Sequence, residues 1–172
     1  YGVVICPTIY NGAYDYIPES YRHTLFDKEI ISNLMKGQKF LTKNGVEKNA
    51  FIIFDDCIGN AEWNNPIMKE LITCYRHLKI TVIIATQYCK SVPPLIRSCS
   101  AHAVIFKPPN EISYKALLES FFQDGFNSVI ELKTYFEKLQ KYEAIEVQEN
   151  KDVENGRYQI IKASMRNFKL TY

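Results

Sequence analysis

The sequence predicts an α/β fold in which a mainly parallel β-sheet is flanked by helices and followed by a C-terminal β-hairpin. Two observations carry this prediction. Short apolar segments alternate with segments whose apolar residues recur at helical spacing, which is typical of a parallel sheet with crossover helices. Residues 142–147 and 157–163 are β-rich and are joined through Asn155 and Gly156, a pair that favours a hairpin turn.

Composition limits the class of protein. The 172 residues are 47% hydrophobic and 13% aromatic, which is enough for one packed core in a single domain. The net charge of +2 is too small to form a nucleic-acid surface by bulk electrostatics, so a DNA contact must be local or arise through assembly. No apolar run approaches the ~18 residues of a membrane span, so no membrane association is predicted. The five cysteines include no C-x-x-C pair, which argues against a disulfide framework or a zinc site.

The first third of the chain predicts one strand and one helix. Residues 1–6 form the strand, which Pro7 stops, and a loop rich in Tyr, Gly and Asn follows. Because this strand begins directly at Tyr1, we expect further sequence before it in the natural protein. Residues 37–50 are polar and predict a loop. The residues that predict the helix before this loop are Phe26, Ile30, Ile31, Leu34 and Met35.

A βαβ unit is predicted in the middle of the chain. The apolar run at residues 51–54 is typical of a strand buried on both faces, and it ends at Asp55. Asn65 can cap a helix that has Pro66 at its first position, and residues 80–85 form the next strand. The separation is about the 30 residues that one crossover needs, so both strands should end at the same edge of the sheet.

A third unit is predicted on the same plan. Pro93 and Pro94 open a short turn or helix, and residues 103–106 form a fourth strand in the same parallel layout. Asn110 begins a helix that ends at Asp124 and Gly125, and another helix follows. The residues predicted to face inward are Ile112, Ala116, Leu117 and Phe121 in the first of these helices, and Phe126, Val129, Ile130, Leu132 and Phe136 in the second.

Asp55 and Asp56 are the strongest candidates for chemistry, because ligands of open α/β sheets bind beyond the carboxyl ends of the strands. Mg²⁺ prefers oxygen ligands and is usually bound by one or two carboxylates together with phosphate oxygens and water. Asp55 could hold the ion, and Asp56 could orient or deprotonate an attacking water. Two acids after a strand can also simply open a turn, and the residues alone leave both interpretations open.

Three further polar residues follow the next strand. Thr86 and Gln87 could orient a γ-phosphate or an attacking water, although polar residues that close a strand are also ordinary. Arg97 could bind phosphate oxygens or reach into a neighbouring subunit, although an isolated arginine is more often a solvated surface charge. Cys57 and Cys99 are interpreted as packing residues, while His77 and His102 lack metal-ligand spacing.

Three blocks in this order resemble the genome-packaging ATPases of poxviruses and other large double-stranded DNA viruses. They are FIIFDDC at residues 51–57, YRHLKITVIIATQ at residues 75–87 and VPPLIR at residues 92–97. Residues 4–8, VICPT, resemble the strand after the first nucleotide-binding helix of the same proteins. These ATPases are viral members of the FtsK–HerA superfamily of P-loop motors. The resemblance covers residues 1–109, and residues 110–172 are placed only by position, as C-terminal helices and a hairpin.

The resemblance implies a P-loop NTPase-type, RecA-like sheet and an activity that couples ATP hydrolysis to the packaging of viral DNA. It implies ATP and Mg²⁺ as cofactors, and double-stranded DNA and capsid or portal components as partners. A homo-oligomeric ring is implied, located at the viral assembly site in the host cytoplasm or in the virion. Asp55 would be the Walker B magnesium residue, Asp56 its catalytic partner and Gln87 the polar sensor. Thr86 would lie on the nucleotide, and Arg97 would act in trans.

The sequence departs from that family at one motif. The phosphate-binding loop G-x-x-x-x-G-K-[ST] does not occur in these 172 residues, so the chain by itself is not expected to hydrolyse ATP. In the family, the strand before that loop lies between the strand at residues 80–85 and the one at residues 103–106. Without it both edges would be unpaired, and we expect the isolated segment to be poorly stable. A sharp, cooperative thermal melt of the isolated segment as a soluble monomer would contradict this expectation.

Three alternatives stay open at the level of the sequence. The first is a structural or assembly relative of the packaging ATPase that does not turn over ATP, and the second is a HerA-type DNA translocase or helicase. The third is a metal-dependent nuclease built on Asp55 and Asp56. A nuclease would need further carboxylates at the same edge, and Glu62 is the nearby candidate.

Overall fold

The computed structural model describes residues 1–57 and 63–163, and this described part of the chain divides after Cys99 into two compact units. The first unit is built on a four-stranded sheet with the order β2-β1-β3-β4, in which every neighbouring pair is parallel. Its strands are β1 (Gly2–Ile5), β2 (Arg22–His23), β3 (Ala50–Asp55) and β4 (Ile80–Ala85). Its α-helices are α1 (Lys28–Lys43), α2 (Pro66–Cys74) and α3 (Pro94–Ser98). Single 3-10 turns occur at Ile9–Asn11, Glu19–Tyr21 and Cys89–Ser91.

The register of the parallel sheet confirms that β3 and β4 end at one edge. Asp55, the last residue of β3, lies opposite Ala85, the last residue of β4. On the other side of β3, Ile5 of β1 lies opposite Phe54. The central βαβ prediction is therefore confirmed, and so is the predicted first strand.

The predicted cap of α2 is also confirmed. The side chain of Asn65 accepts a hydrogen bond from the backbone N–H of Ile67 at 3.0 Å, and Pro66 occupies the first helical position. This arrangement satisfies a backbone donor that the first turn of a helix leaves without a partner. The helix therefore begins where the sequence predicts.

Strand β3 is covered on both faces, but to different depths. Ile52 and Phe54 are fully buried on one face, where they pack against residues of α1 and α2. Phe51 and Ile53 are half-buried on the other face and pack beside Val4. The sequence predicted burial on both faces, and the difference arises because the second face is covered by the loop after β1 rather than by a long helix.

Helix α1 is longer than the sequence predicts, because it continues through the first part of the expected loop to Lys43. The added part of the helix contains Gln38, a polar residue that is 1% exposed. Its side-chain amide donates hydrogen bonds to the carbonyl of Lys48 at 3.0 Å and to that of Lys79 at 3.3 Å. Gln38 thus occupies an inward position of the helix at no unsatisfied polar cost.

The second unit contains a three-stranded antiparallel sheet with the order β5-β6-β7. Its strands are β5 (His102–Ile105), β6 (Glu143–Gln148) and β7 (Tyr158–Lys162). The predicted hairpin of β6 and β7 is confirmed, and Gly156 in its loop has a φ of +82°. The parallel placement predicted for the strand at residues 103–106 is wrong, because β5 pairs antiparallel with β6. An apolar run this short specifies a strand but does not specify its partner.

The helices of the second unit are α4 (Glu111–Leu117), which continues as a π-helical turn at Leu118–Phe122, and α5 (Val129–Glu137). Asn110 caps α4 by accepting from the backbone N–H of Ser113 at 2.9 Å, as predicted. Ala116 and Leu117 are buried as predicted. Ile112 was also expected to face inward, but it is 73% exposed, and Tyr114 is the third buried residue of this helix. Ile130 of α5 is exposed in the same way. A seven-residue α-helix is too short for its apolar spacing to select one face.

Strands β4 and β5 are the two that were expected to flank the strand before the phosphate-binding loop, and each lies at the edge of its sheet. Among the described strands, β4 has a partner on one side only, and Ile83 on it is 46% exposed. Strand β5 is likewise an edge of its own sheet.

The α/β class with a mainly parallel sheet, flanking helices and a C-terminal hairpin is confirmed. None of the helices in the described ranges is both long and apolar enough to cross a membrane.

Candidate functional site

The acidic pair lies at the carboxyl edge of the parallel sheet. Asp55 ends β3, and the backbone N–H of Asp56 donates to the carbonyl of Ala85 at 3.2 Å, which continues the pairing with β4 by one residue. Asp56 has a φ of +52°, in the left-handed region that aspartate tolerates better than most residues. The chain therefore turns sharply here while both carboxylates stay at the sheet edge.

The Asp55 carboxylate is held by the neighbouring strand β1 and the loop that follows it. The hydroxyl of Tyr14 donates to Asp55 Oδ2 at 2.8 Å, and Sγ of Cys6 lies 3.6 Å from the same oxygen. Burial, followed by the hydrogen bond to Asp55, raises the pKa of Tyr14 above its ordinary value of 10.0. The phenol is therefore protonated at neutral pH and acts as a donor to Asp55.

Neither Tyr14 nor Cys6 was predicted from the sequence as a partner of Asp55. Cys6 could have been found from the strand register, because Ile5 pairs with Phe54 and the next residues along each strand are Cys6 and Asp55. Tyr14 lies in a loop without periodicity, so no pattern in the sequence places its hydroxyl at the sheet edge.

Gln87 and Asp56 come together, as the strand topology predicts. The side-chain amide of Gln87 donates to Oδ1 of Asp56 at 3.3 Å. Gln87 follows β4 and Asp56 follows β3, so the contact spans the two strand ends. An amide at this distance can orient the carboxylate or the water that the carboxylate binds.

Thr86 has a different environment from the one expected. Its hydroxyl lies 2.8 Å from the hydroxyl of Ser91 and donates to the carbonyl of Tyr88 at 3.2 Å. Ser91 in turn donates to the carbonyl of Tyr88 at 2.7 Å. In the structure, these contacts place Thr86 in the turn after β4, and its predicted contact with a nucleotide stays a prediction.

Arg97 lies in α3, the short helix that follows this turn. Ile96 beside it is buried against Ile72 and Val92, so the helix is fixed to the body of the first unit. Arg97 is a partly exposed residue. This position suits a group that acts on a second molecule, and the predicted role of Arg97 in trans stays a prediction.

Cys57 is a packing residue at the base of the site. Its thiol donates to the carbonyl of Ile5 at 3.2 Å, and burial raises its pKa to about 11. At neutral pH it is a protonated thiol, which is neither a nucleophile nor a metal ligand. The interpretation drawn from the sequence agrees with this environment.

The donor set suits a magnesium ion shared with a phosphate ligand. Within residues 1–57 and 63–163, no group of three or more His, Cys, Asp or Glu side chains could hold a metal ion. A pair of carboxylates is nevertheless what Mg²⁺ commonly takes from a protein when phosphate oxygens and water complete the octahedron. The nuclease alternative needs a larger cluster, and its candidate third ligand, Glu62, lies outside the described residues.

Comparison with curated proteins finds relatives in viruses. The chain is 30% identical over 107 residues to the uncharacterized protein 075L of invertebrate iridescent virus 6, an alignment that covers 59% of this chain and 40% of that protein. It is 28% identical over 129 residues to the uncharacterized protein 015R of Frog virus 3 (isolate Goorha), covering 73% of this chain and 38% of that protein. The chain thus spans less than half the length of these relatives. No family model matches.

Comparison with solved structures finds the same fold in viral genome-packaging proteins. The genome packaging NTPase B204 of Sulfolobus turreted icosahedral virus 2, bound to AMP, superposes with a TM-score of 0.66 at 13% identity. The superposition covers 95% of this chain and 83% of the B204 chain. The DNA-packaging ATPase B204 of Sulfolobus turreted icosahedral virus gives a TM-score of 0.64 at 15% identity over the same shares. The chain therefore has the fold of a viral genome-packaging NTPase.

Proposed function

We propose that this chain supplies the hydrolytic half of an ATP site in a motor that packages viral double-stranded DNA. One observation carries the proposal: Asp55, Asp56 and Gln87 converge at the carboxyl edge of two adjacent parallel strands. The viral packaging NTPase fold supports it, because the solved structures with this fold include complexes with AMP, AMPPCP and ATP-gammaS.

Each residue receives a role from its place at the edge. Asp55 would hold Mg²⁺, directly or through water. Asp56 would accept the proton of the water that attacks the γ-phosphorus, while the bond from that phosphorus to the bridging oxygen breaks and ADP leaves. Gln87, bonded to Asp56 in the free site, orients that water. When bound, Mg²⁺ neutralises the charge that develops on the β- and γ-phosphate oxygens.

Two residues act at the margin of the site. Thr86 is assigned to the nucleotide side, where its hydroxyl would exchange the turn contacts for a phosphate oxygen. Arg97 is assigned to the transition state of a neighbouring subunit, since a guanidinium binds phosphate oxygens with two parallel hydrogen bonds.

In this proposal, the groups that bind the phosphates lie outside these 172 residues. The chain contains no G-x-x-x-x-G-K-[ST] loop, which in P-loop proteins surrounds the phosphates with backbone N–H groups and a lysine. The proposed activity therefore belongs to the full-length protein. Capsid or portal components, a homo-oligomeric ring and a location at the assembly site or in the virion belong to the same proposal.

The test is ATP hydrolysis by the full-length protein. We expect hydrolysis that requires Mg²⁺, stops when the ion is chelated, and is stimulated by double-stranded DNA. An Asp55→Asn variant should need a much higher Mg²⁺ concentration for half-maximal rate, because it loses the charge that binds the ion. A non-hydrolysing assembly protein would show no Mg²⁺-dependent phosphate release above the buffer.

A further inference from the structure

Within residues 1–57 and 63–163, the side chains that contact the Asp55 carboxylate lie at one of its two oxygens. Its oxygen Oδ2 accepts the hydrogen bond from Tyr14 at 2.8 Å and has the Cys6 thiol at 3.6 Å, whereas no hydrogen-bond donor among the described residues lies at Oδ1. The two oxygens of this carboxylate are thus chemically distinct before any ligand arrives. In the described part of the chain, Oδ2 is the oxygen that accepts from the protein.

Tyr14 itself is firmly placed. Its ring packs beside buried Val4, Cys6 and Ile17, and its carbonyl accepts from the backbone N–H of Ile17 at 2.9 Å. The loop that carries it is joined to β2 by an ion pair of Asp15 with Arg22. The packing of the ring and the contacts of its loop therefore direct the hydroxyl toward Asp55.

We propose that Tyr14 is the positioning residue for the magnesium carboxylate, an inference that rests on the proposed function of Asp55. By occupying Oδ2, the Tyr14 hydroxyl fixes the rotation of the carboxylate and reserves Oδ1 for Mg²⁺ or for one of its bound waters. Such an outer contact orients a metal ligand without touching the ion, and its loss commonly weakens metal binding by about ten- to a hundredfold.

The Cys6 thiol does not account for the orientation of the Asp55 carboxylate. A thiol is a weak donor, and at 3.6 Å the Cys6 contact with Oδ2 is longer than the phenol contact. Cys6 is fully buried in the cluster around Val4, so its main role is packing. The orientation of the carboxylate therefore depends on the Tyr14 hydroxyl.

The test compares Mn²⁺ binding by the full-length protein with a non-hydrolysable ATP analogue present, measured by electron paramagnetic resonance. Tyr14→Phe keeps the ring in its apolar cluster and removes only the hydroxyl. We expect it to weaken Mn²⁺ binding by about tenfold and to leave the affinity for the analogue without metal unchanged. Tyr16→Phe is the matched control, since Tyr16 is exposed and contacts the Tyr14 ring with a centroid distance of 6.3 Å.

The outcomes separate this inference from the proposed function. If Asp55→Asn removes Mn²⁺ binding while Tyr14→Phe binds as the wild type does, Tyr14 has no positioning role and the magnesium assignment of Asp55 stands. Stronger Mn²⁺ binding by Tyr14→Phe would also overturn the inference, because the phenol would then compete with the ion. If Asp55→Asn binds Mn²⁺ like the wild type, the proposed function itself fails. A thermal melt of Tyr14→Phe equal to that of Tyr16→Phe shows that any loss of metal is local.

Discussion

Replacing Asp56 by Asn is expected to lower the rate of ATP hydrolysis by the full-length protein by about 10²- to 10⁴-fold, the usual contribution of a positioned general base. The substitution keeps the size of the side chain and keeps an oxygen that can accept from Gln87, whose amide lies 3.3 Å from Asp56 Oδ1. What it removes is the ability to take a proton from water. Binding of ATP should therefore be little changed while turnover is lost.

The measurement is steady-state phosphate release together with nucleotide affinity from equilibrium titration. Glu70→Gln is the matched control, because it is also a carboxylate-to-amide change in the first unit, at a partly exposed residue that forms an ion pair with Lys39. We expect this control to hydrolyse ATP as the wild type does. Unchanged turnover in Asp56→Asn would remove the assignment of a catalytic carboxylate at this edge and favour an assembly protein without turnover.

Replacing Arg97 by Ala is expected to lower hydrolysis by about 10³-fold or more if the residue acts as an arginine finger. The diagnostic result comes from mixing two inactive proteins. A ring that contains both Arg97→Ala and Asp56→Asn subunits has some interfaces where an intact Asp56 faces an intact Arg97 of its neighbour. A random equal mixture should regain about a quarter of the wild-type rate, because each functional interface needs one intact residue from each side.

The same mixture distinguishes the two possible sites of action. If Arg97 instead serves the nucleotide of its own subunit, mixing restores no activity. In that case every Arg97→Ala subunit lacks the arginine that its site needs, and every Asp56→Asn subunit lacks the carboxylate. Arg76→Ala is the control, since Arg76 is an exposed arginine of the same unit that contacts the Tyr75 ring and hydroxyl. It should leave the rate unchanged.

The part of the site that the sequence predicts is the part that strand topology determines. Asp55 and Gln87 lie at the ends of two apolar runs separated by one helix. A βαβ crossover makes the two strands parallel, so their carboxyl ends lie at one edge of the sheet. The register adds a quantitative constraint, because Asp55 and Ala85 face each other. No side-chain detail is needed for that step.

The parts that the sequence missed depend on contacts between distant segments. Tyr14 reaches Asp55 from a loop, and the buried position of Gln38 in α1 is compatible with its polar amide because carbonyls from two other segments accept its hydrogens. Strand β5 was assigned to the wrong sheet because its apolar run is equally compatible with a parallel or an antiparallel partner. In each case tertiary contacts decided between structures that local pattern left equal.

The most direct test of the central claim is a structure of the full-length protein with Mg²⁺ and a non-hydrolysable ATP analogue. We expect the ion to lie next to Asp55, bound to Oδ1 directly or through one water, with the γ-phosphate facing Asp56 and Gln87. A nucleotide bound away from the carboxyl ends of β3 and β4, or a metal ion with no direct or water-mediated contact to Asp55, would contradict it.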